Sequence, residues 1–362
     1  MLRIGVVLLA GALWGSAGAQ AFRIQPVAGK LEHPWAVAFL PDGRFLVTER
    51  PGRLRVIEPD GQLGEPVAGL PEVQAGGQGG LLDVVTDRGF ERNRMLYLCF
   101  AQRGAGGSGT ALASARLSAD LKRLDDVKVI FAQSPKVGGS NHFGCRILEA
   151  RDGTLFLALG DRYSQMANAQ TLDNHHGKVV RIHKDGSVPR DNPFAGRAGA
   201  LPEIWSYGHR NMQGATLAPD GVLWTHEHGP QGGDEINLPK AGANHGWPVI
   251  THGENYGGGR IGDGQTQRAG MEQPLHYWVP SIAPSGMAFL GSDRYGAAMK
   301  GNLFVGSLKF QYLNRIELAG GKVVRESRID IGERVRDVRQ GPDGLLYVLT
   351  DSSAGRLLRL LP

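Results

Sequence analysis

A histidine and a set of basic side chains are the residues of this sequence best suited to chemistry. The histidine is His142, in a Gly-rich loop, and the basic residues are Arg210, Lys309, Arg334 and Arg336. We expect each basic residue at a strand end or in an adjoining loop, and guanidinium groups bind carboxylates bidentately. Converging on one face, they would suit a small polyanion. His142 fits either a structural hydrogen bond or, since imidazole titrates near neutral pH, a general base.

The element that would position these side chains is a short strand that recurs six times, each time after a tight turn. Asp-Gly marks four of the turns, at 42–43, 152–153, 220–221 and 343–344, and Asn93-Arg94 and Lys300-Gly301 mark the others. The strands expected after them cover residues 44–48, 95–100, 154–159, 222–226, 302–307 and 345–350. Turn chemistry at the same point of each repeat predicts one supersecondary unit repeated around a ring. We therefore predict an all-β fold, a six-bladed β-propeller of four-stranded antiparallel blades, with residues 22–48 closing against the C-terminal strands.

Composition supports this fold class and excludes several functions. Gly supplies 54 of the 362 residues, as a chain with many short turns requires. No segment keeps a helical period long enough to predict long helices. The net charge is +5, but there is no run of five Lys or Arg and no basic helix with interleaved aromatic residues. We expect no nucleic-acid partner and a single catalytic or binding domain over residues 22–362.

The N-terminal residues have the features of a secretory signal peptide. Arg3 gives a positive start, residues 4–14 are apolar, and residues 16–21 are mostly small. The apolar run is too short to span a bilayer, and no second run of that kind follows. We expect residues 1–21 to be removed, and the product to be periplasmic or secreted and to lack a membrane span.

Cys99 and Cys145 are the two cysteines, and both lie in apolar runs typical of strands. A free cysteine in such a run usually behaves as a small buried hydrophobic residue, although an oxidising compartment also permits a disulfide. We expect separate buried thiols. Two cysteines are too few for a disulfide framework or a cysteine-based metal centre.

Several short motifs occur in an order and at spacings similar to those of one family. They are GGQGGLLD at 76–83, NHFG at 141–144, LGD at 159–161, GHRN at 208–211, HGP at 228–230, GDE at 233–235 and RVRD at 334–337. From about Phe22 to the C-terminus, the chain resembles the soluble quinoprotein aldose sugar dehydrogenases of the glucose/sorbosone dehydrogenase family. The resemblance implies a six-bladed propeller that uses pyrroloquinoline quinone (PQQ) and Ca²⁺ to oxidise an aldose sugar. Its electron acceptor is not identified by the sequence.

The resemblance also implies roles for individual residues. His142 matches the general base, Asp161 matches the carboxylate that holds its imidazole in one tautomer, and Arg210 belongs to the same catalytic centre. Lys309 matches a residue beside the quinone, where it would stabilise developing negative charge. Arg334 and Arg336 alternate along an extended stretch and so point to one face, although they are also compatible with exposed salt bridges. The full set that matches the PQQ-binding residues is Gln78, His142, Arg210, Asn211, Lys309, Arg334 and Arg336.

Calcium ligands are implied by the same resemblance. The carbonyl oxygens of Gly229 and Pro230 match ligands of the ion beside the cofactor, and Ca²⁺ prefers hard oxygen ligands of this kind. Glu235 and Tyr256 resemble ligands of a second, structural ion. Asp234 and Glu235 are also compatible with simply capping a loop.

Other polar and aromatic residues have simpler explanations. His226 and His228 have the spacing of a metal-binding pair on a strand, but no third nitrogen or sulfur ligand is near them, and we interpret them as structural. Tryptophans at strand positions, Trp247 among them, fill space between blades more often than they stack on a sugar. Tyr256 and Trp278 lie in long Gly-rich connections and are better candidates for the substrate mouth.

Two rival functions also fit a propeller. A calcium-dependent lactonase or related hydrolase needs an ion held by several acidic and amide side chains on the axis, and it leaves the Arg and Lys set unexplained. A non-catalytic propeller that binds sugars or proteins leaves the base, its carboxylate partner and the cations unexplained. We therefore expect a PQQ-dependent aldose dehydrogenase.

Overall fold

Six sheets, each of four antiparallel strands, make up the fold and confirm the predicted six-bladed β-propeller. The structure is a computed structural model that describes residues 22–362. Its strands are, in chain order, β1 (Arg23–Leu31), β2 (Pro34–Phe39), β3 (Phe45–Glu49), β4 (Arg53–Ile57), β5 (Leu63–Pro66), β6 (Leu81–Thr86), β7 (Met95–Gly104), β8 (Gly107–Leu117), β9 (Leu124–Ala132), β10 (Gly144–Glu149), β11 (Leu155–Leu159), β12 (Lys178–Ile182), β13 (Ile204–Tyr207), β14 (Met212–Leu217), β15 (Leu223–Glu227), β16 (Asp234–Asn237), β17 (His276–Trp278), β18 (Pro284–Phe289), β19 (Leu303–Ser307), β20 (Tyr312–Ala319), β21 (Lys322–Asp330), β22 (Val335–Gln340), β23 (Leu346–Thr350) and β24 (Gly355–Leu361). Helix α1 (Phe90–Asn93) and a 3₁₀ helix (Met166–Gln170) are short.

Each blade begins with a strand that lies next to the first strands of its two neighbours. Blades 1 to 5 are β2–β5, β6–β9, β10–β13, β14–β17 and β18–β21, and their first strands contact one another and β22 in a closed ring. Blade 6 combines the two ends of the chain, because β22, β23 and β24 are completed by β1. Arg23 pairs with Leu361 and Leu31 pairs with Gly355, which confirms the predicted closure of the ring.

The repeated turns connect the first and second strands of the blades. Gly43 has a φ of +86° and donates its N–H to the Leu40 carbonyl at 3.1 Å, and Gly344 in blade 6 repeats the conformation with a φ of +79°. Glycine adopts this left-handed region without the steric cost of a Cβ. In blade 2, α1 precedes the turn and Arg94 takes the left-handed conformation. All six predicted strands exist as second strands, and each starts within one residue of its predicted start.

The second strands are the centre of the hydrophobic core. Every residue of β3, β11, β15, β19 and β23 is buried. Their burial does not alternate because neighbouring blades pack against both sides, and polar residues such as Thr225 and Glu227 are buried together with the apolar ones. This core fixes the strand ends, and the strand ends carry the candidate site.

The two cysteines form a disulfide, so the expectation of separate thiols was wrong. Cys99 in β7 and Cys145 in β10 have Cα atoms 5.7 Å apart and join blade 2 to blade 3. The sequence showed that both residues lie in buried strands. It did not show that these strands face each other across the interface between two blades.

Residues 1–21, predicted as a signal peptide, lie outside the described part of the chain. Between residues 22 and 362, the helices are all too short to span a lipid bilayer.

Candidate functional site

The predicted site residues meet at one end of the ring, where second strands end and first strands begin. A cavity of about 460 Å³ opens there. It is lined by Trp35, Arg50, Gln78, Leu82, Phe143, Gly144, Asn211, Gln213, His228, Ala283, Leu308, Lys309, Arg334, Arg336 and Asp351. Five of the seven residues predicted to bind PQQ therefore face one space, and the other two, His142 and Arg210, each directly precede a lining residue.

The cavity is strongly positive. Its charged lining residues are Arg50, Lys309, Arg334, Arg336 and Asp351, which are four cations and one carboxylate and give a net charge of +3. Such a density of cations around a partly enclosed space favours an anionic ligand, since an uncompensated charge in a poorly solvated site is costly.

Arg334 and Arg336 share the carboxylate of Asp351, which follows β23. Arg336 lies 2.9 Å from that carboxylate with a tenth of its side chain exposed, and Arg334 lies 3.5 Å away with about half exposed (49%). His33 contacts the other carboxylate oxygen at 3.1 Å. Burial alone would raise the pKa of Asp351, but Arg336 and these hydrogen bonds hold it well below its usual range. Asp351 is thus a fixed anion that orients both guanidinium groups toward the cavity side.

His142 and Asp161 form a buried pair beside the cavity. Nδ1 of His142 lies 2.7 Å from Oδ1 of Asp161. The same carboxylate accepts hydrogen bonds from the Tyr163 N–H and the Trp247 indole N–H, both at 2.8 Å. With Nδ1–H donated to the carboxylate, Nε2 of His142 is the acceptor nitrogen. Burial lowers the pKa of His142, Asp161 opposes that shift, and the charges of Arg210 and Arg162 add to it.

The backbone around this pair is constrained. His142, Arg162 and Tyr163 all have left-handed φ angles, of +53°, +56° and +64°. A Cβ added to Gly160 would lie 2.1 Å from the His142 carbonyl oxygen, so only glycine allows the two segments to approach this closely. Non-glycine residues held in this region cluster at functional sites, where the surrounding structure maintains the strain.

Arg162 holds the loop that carries His142. Its guanidinium donates to the Asn141 carbonyl and, at 2.7 Å, to the Gly139 carbonyl, and it stacks 3.6 Å from the Phe143 ring. Arg162 is buried, and burial lowers its pKa to about 10. The loop around the histidine is therefore fixed by a cation on the strand connection that also supplies Asp161.

A second, smaller pocket of about 220 Å³ lies in front of His142. It is lined by His142, Asp161, Tyr163, Met166, Arg210, Pro230, Trp247, Asn255, Tyr256 and Ile261. Tyr163, Met166 and Tyr256 are among the exposed large side chains of the protein and form its rim. A small polar molecule in this pocket would meet the histidine on one side and aromatic faces on the other.

Arg210 lies at the boundary of the two spaces. One guanidinium nitrogen donates to the carbonyls of His228, at 3.0 Å, and Gly229, at 2.7 Å. The guanidinium lies 5.2 Å from the centre of the Trp247 ring. Its Nε is buried and has no hydrogen-bond partner within residues 22–362. An unpaired buried donor of this kind is suited to a ligand acceptor.

Comparison with known proteins places this chain in a family. Residues 31–359 match the family model described as Glucose / Sorbosone dehydrogenase. The chain belongs to the glucose/sorbosone dehydrogenase family. It is 46% identical to aldose sugar dehydrogenase YliI of Escherichia coli (strain K12) over 365 residues, which cover 99% of this chain and 97% of that relative.

Solved structures of the family have the same fold. A crystal structure of glucose dehydrogenase superposes with a TM-score of 0.90 at 49% identity, covering 93% of this chain and 99% of that one. The PQQ-bound form of aldose sugar dehydrogenase from Streptomyces coelicolor has a TM-score of 0.76 at 25% identity and covers 94% of this chain and 98% of that one.

The residues that the family resemblance suggested as calcium ligands occupy two places, with Gly229, Pro230 and Tyr256 at the small pocket and Glu235 away from it. The Gly229 carbonyl accepts the Arg210 hydrogen bond, and Pro230 lies in the wall of the small pocket. Tyr256 lines that pocket as well, and no hydrogen bond joins it to Glu235 within residues 22–362. Asp234 does cap a loop, because it accepts hydrogen bonds from the backbone of Gly229 and of residues 282 and 283.

Glu235 is partly exposed and lies beside two buried side chains that carry oxygen atoms, Glu227 and Asn237. Its carboxylate accepts a hydrogen bond from Asn237 at 3.2 Å, and Asn237 also donates to Glu227 at 2.8 Å. Oδ1 of Asn237 is buried without a partner in the described chain. Burial and the neighbouring Glu227 raise the pKa of Glu235. Two carboxylates and an unpaired amide oxygen at one largely buried place suit a hard cation.

Sequence reasoning missed several residues of this family site. Arg50, Trp35 and His228 line the cavity, and Trp247 holds Asp161 and lines the small pocket. His228 and Trp247 had been assigned structural roles. Trp278, suggested for the substrate mouth, is buried and donates to Glu326 in blade 5. For Arg50 and His228 a signal did exist, since each directly follows a second strand.

Proposed function

We propose that this protein oxidises aldose sugars at the anomeric carbon to lactones, with PQQ as hydride acceptor and His142 as general base. The observation that carries the proposal is the His142–Asp161 pair, which faces a small pocket directly beside a cavity of net charge +3. Family membership, the aldose dehydrogenase activity named for the Escherichia coli relative, and the PQQ-bound Streptomyces structure support it.

The cavity fits the cofactor by charge. PQQ carries three carboxylates, and the lining residues supply a net charge of +3. Gln78 and Asn211 add amide groups and Trp35 adds an aromatic face to the same wall. Bidentate pairing by arginine and single contacts by lysine would compensate the buried carboxylates. When bound, the ortho-quinone supplies a two-electron acceptor for hydride.

His142 would accept the proton of the anomeric hydroxyl. Asp161 holds Nδ1, so the free Nε2 is the basic atom, and the depressed pKa keeps the imidazole neutral at neutral pH. As the O–H proton passes to Nε2, the C–H electron pair leaves as hydride and the anomeric carbon becomes a carbonyl. Asp161 stabilises the imidazolium that forms. Trp247 and the Tyr163 N–H keep that carboxylate in place.

Arg210 and Lys309 would stabilise negative charge on the oxygen atoms of the reacting centre. Arg210 is anchored through one nitrogen on two backbone carbonyls, which leaves its buried Nε–H available to a ligand oxygen. Lys309 lines the cavity and has no ion pair within the described residues. Both cations are therefore positioned to stabilise negative charge that develops during hydride transfer.

Calcium is part of the proposal. The carbonyl oxygens of Gly229 and Pro230 would bind one ion beside the cofactor, where it would polarise a carbonyl as a Lewis acid. The Gly229 oxygen already accepts one hydrogen bond from Arg210 and retains a second lone pair. Glu235 would bind a second ion together with the unpaired oxygen of Asn237. Tyr256, proposed with it from the resemblance, contributes instead to the wall of the small pocket.

The proposed function also includes export from the cytoplasm. We propose that residues 1–21 are a cleaved signal peptide and that the protein works in the periplasm or outside the cell, as one domain over residues 22–362. The Cys99–Cys145 disulfide supports this, because disulfides persist mainly in oxidising compartments.

The test is reconstitution. Purified apoprotein should reduce a redox dye in the presence of an aldose only after both PQQ and Ca²⁺ are added, and the sugar product should be a lactone. The His142→Ala variant is the matched control, since it should bind PQQ and reduce the dye far more slowly. Hydrolysis of lactones without PQQ would instead favour a calcium-dependent hydrolase.

A further inference from the structure

Arg50 occupies a position that four blades of the propeller place in the cavity wall. Arg50, His228, Leu308 and Asp351 are each the first residue after a second strand, in blades 1, 4, 5 and 6. All four line the cavity. The same geometry that presents Asp351 to the cavity therefore presents a guanidinium from blade 1.

The Arg50 side chain is half-buried and has no carboxylate partner within residues 22–362. Its one side-chain hydrogen bond there goes to the Gly77 carbonyl, at 3.0 Å. Arg334 and Arg336, in contrast, already share Asp351. Burial lowers the pKa of Arg50, and although Asp351 opposes the shift, Arg336 and Arg334 add to it. A guanidinium crowded by two others, with no anion of its own, is an incomplete ion pair.

The backbone of Arg50 is fixed, so this arrangement is built into the fold. Its N–H donates to the His33 carbonyl at 3.0 Å, and its carbonyl accepts from the Leu81 N–H at 3.1 Å. A Cβ on Gly80 would lie 2.0 Å from the Arg50 carbonyl oxygen, so glycine is required where the two segments cross. The backbone order that brings this cation to the cavity is therefore present before a ligand binds.

We propose that Arg50 binds one carboxylate of the cofactor directly and supplies the third net positive charge of the cavity. Without Arg50, the side chains of the lining would carry three cations and one carboxylate, a net charge of +2 before any bound calcium is counted, against three ligand carboxylates. The inference deepens the proposed function and depends on it. Arg50 acts in binding and not in proton transfer, because His142 lines a different pocket.

The test compares PQQ binding to the apoproteins of four forms by calorimetric titration in the presence of Ca²⁺. Arg50→Gln should bind PQQ roughly 10- to 100-fold more weakly than wild type, the scale of a charge-assisted hydrogen bond. The PQQ affinity of Arg50→Lys should lie between those of wild type and Arg50→Gln, since lysine keeps the charge but loses the bidentate geometry of the guanidinium group. Arg53→Gln is the matched control, because Arg53 lies on the same hairpin, pairs with Glu32 and Glu49, and does not line the cavity. It should bind within about twofold of wild type.

A second measurement separates direct pairing from a general loss of charge. The three monomethyl esters of PQQ each lack one carboxylate. If Arg50 pairs with one of them, that ester should bind wild type weakly and lose nothing more in Arg50→Gln, while the other two esters should lose as much as PQQ does. Equal losses for all three esters, or unchanged PQQ affinity in Arg50→Gln, would overturn the assignment. A wild type that does not bind PQQ would overturn the proposed function as well, and unchanged melting temperatures confirm that the variants are folded.

Discussion

Nδ1 of His142 and Oδ1 of Asp161 lie 2.7 Å apart, and both side chains are almost entirely buried. This pair determines which nitrogen of the histidine can accept a proton. It also puts the base and the residue that orients it on one blade, since His142 precedes β10 and Asp161 follows β11. The cations of the larger cavity come mainly from blades 1, 5 and 6. Proton transfer and cofactor binding should therefore be separable by mutation.

The first prediction removes the base. His142→Ala should lower the rate of aldose-dependent cofactor reduction by about 10² to 10⁴, the usual contribution of a positioned general base. Asp161→Asn should lower it less, because the imidazole remains but loses its orienting charge. Single-turnover spectroscopy with both variants saturated in PQQ measures this. A His142→Ala variant that reduces its cofactor at the parent rate would refute the mechanism.

The second prediction concerns pH. Protonated His142 cannot accept a proton, so the rate should fall on the acid side as the pH drops through its pKa. Since burial and the nearby arginines lower that pKa, the midpoint should lie below 6.5, the ordinary value for histidine. The pH profile of the reductive half-reaction gives the midpoint. Arg162→Gln, which removes one of these charges, should move the midpoint upward, and Arg162→Lys should move it less.

The third prediction contrasts the two arginines that share Asp351. Arg336→Ala should weaken PQQ binding by roughly 10- to 100-fold, the scale of a charge-assisted hydrogen bond. Arg334→Ala should have a smaller effect, because its side chain is about half exposed and its charge is better screened by water. Titration of PQQ into each apoprotein measures both effects. Equal affinity in both variants and wild type would place this pair outside the binding site.

The fourth prediction removes the metal. Chelation should abolish aldose oxidation, and Ca²⁺ should restore it, because the proposed ion sits beside the cofactor on the carbonyls of Gly229 and Pro230. Mg²⁺ should restore less of the aldose oxidation activity than Ca²⁺, since it requires shorter bonds and a stricter octahedral geometry. Dye reduction assays on chelated, PQQ-loaded protein test this. Full activity after exhaustive removal of calcium would contradict the assignment.

The fifth prediction concerns Glu235. Ca²⁺ should raise the melting temperature of wild type, because a cation relieves the repulsion between Glu235 and Glu227. Glu235→Gln should lose most of this increase and keep most of its rate, since Glu235 lines neither the cavity nor the small pocket. Thermal unfolding with calcium and with chelator compares the two forms. A calcium-dependent increase of equal size in both would place the ion elsewhere.

The blade architecture could be predicted because it is encoded locally. A turn such as Asp42-Gly43 and the apolar run that follows it are adjacent in sequence, and both are needed for the first hairpin of a blade. The motif residues His142 and Asp161 were found in the same way, since each lies in a short recognisable segment. Their contact itself depends on β10 and β11 pairing in the expected antiparallel register.

The features that were missed depend on contacts between blades. Cys99 meets Cys145 only because β7 and β10 face each other. Trp247 reaches Asp161 from a loop 86 residues further along the chain, and nothing near Trp247 in the sequence indicates this. Arg50 lies between the features that could be predicted and those that could not. Its position after β3 repeats that of Asp351 after β23, and an alignment of the six repeats would have shown this correspondence.

Blade 6 also determines the order in which the molecule can be completed. Its fourth strand, β1, is the first part of the described chain to leave the ribosome, while its partner β24 is the last. During synthesis β1 lacks its partner β24 until residues 355–361 have appeared, so blade 6 cannot be completed before then. Contacts of such long sequence separation slow folding. The first strand suits this delay, since most of its side chains remain at least partly exposed even in the finished protein.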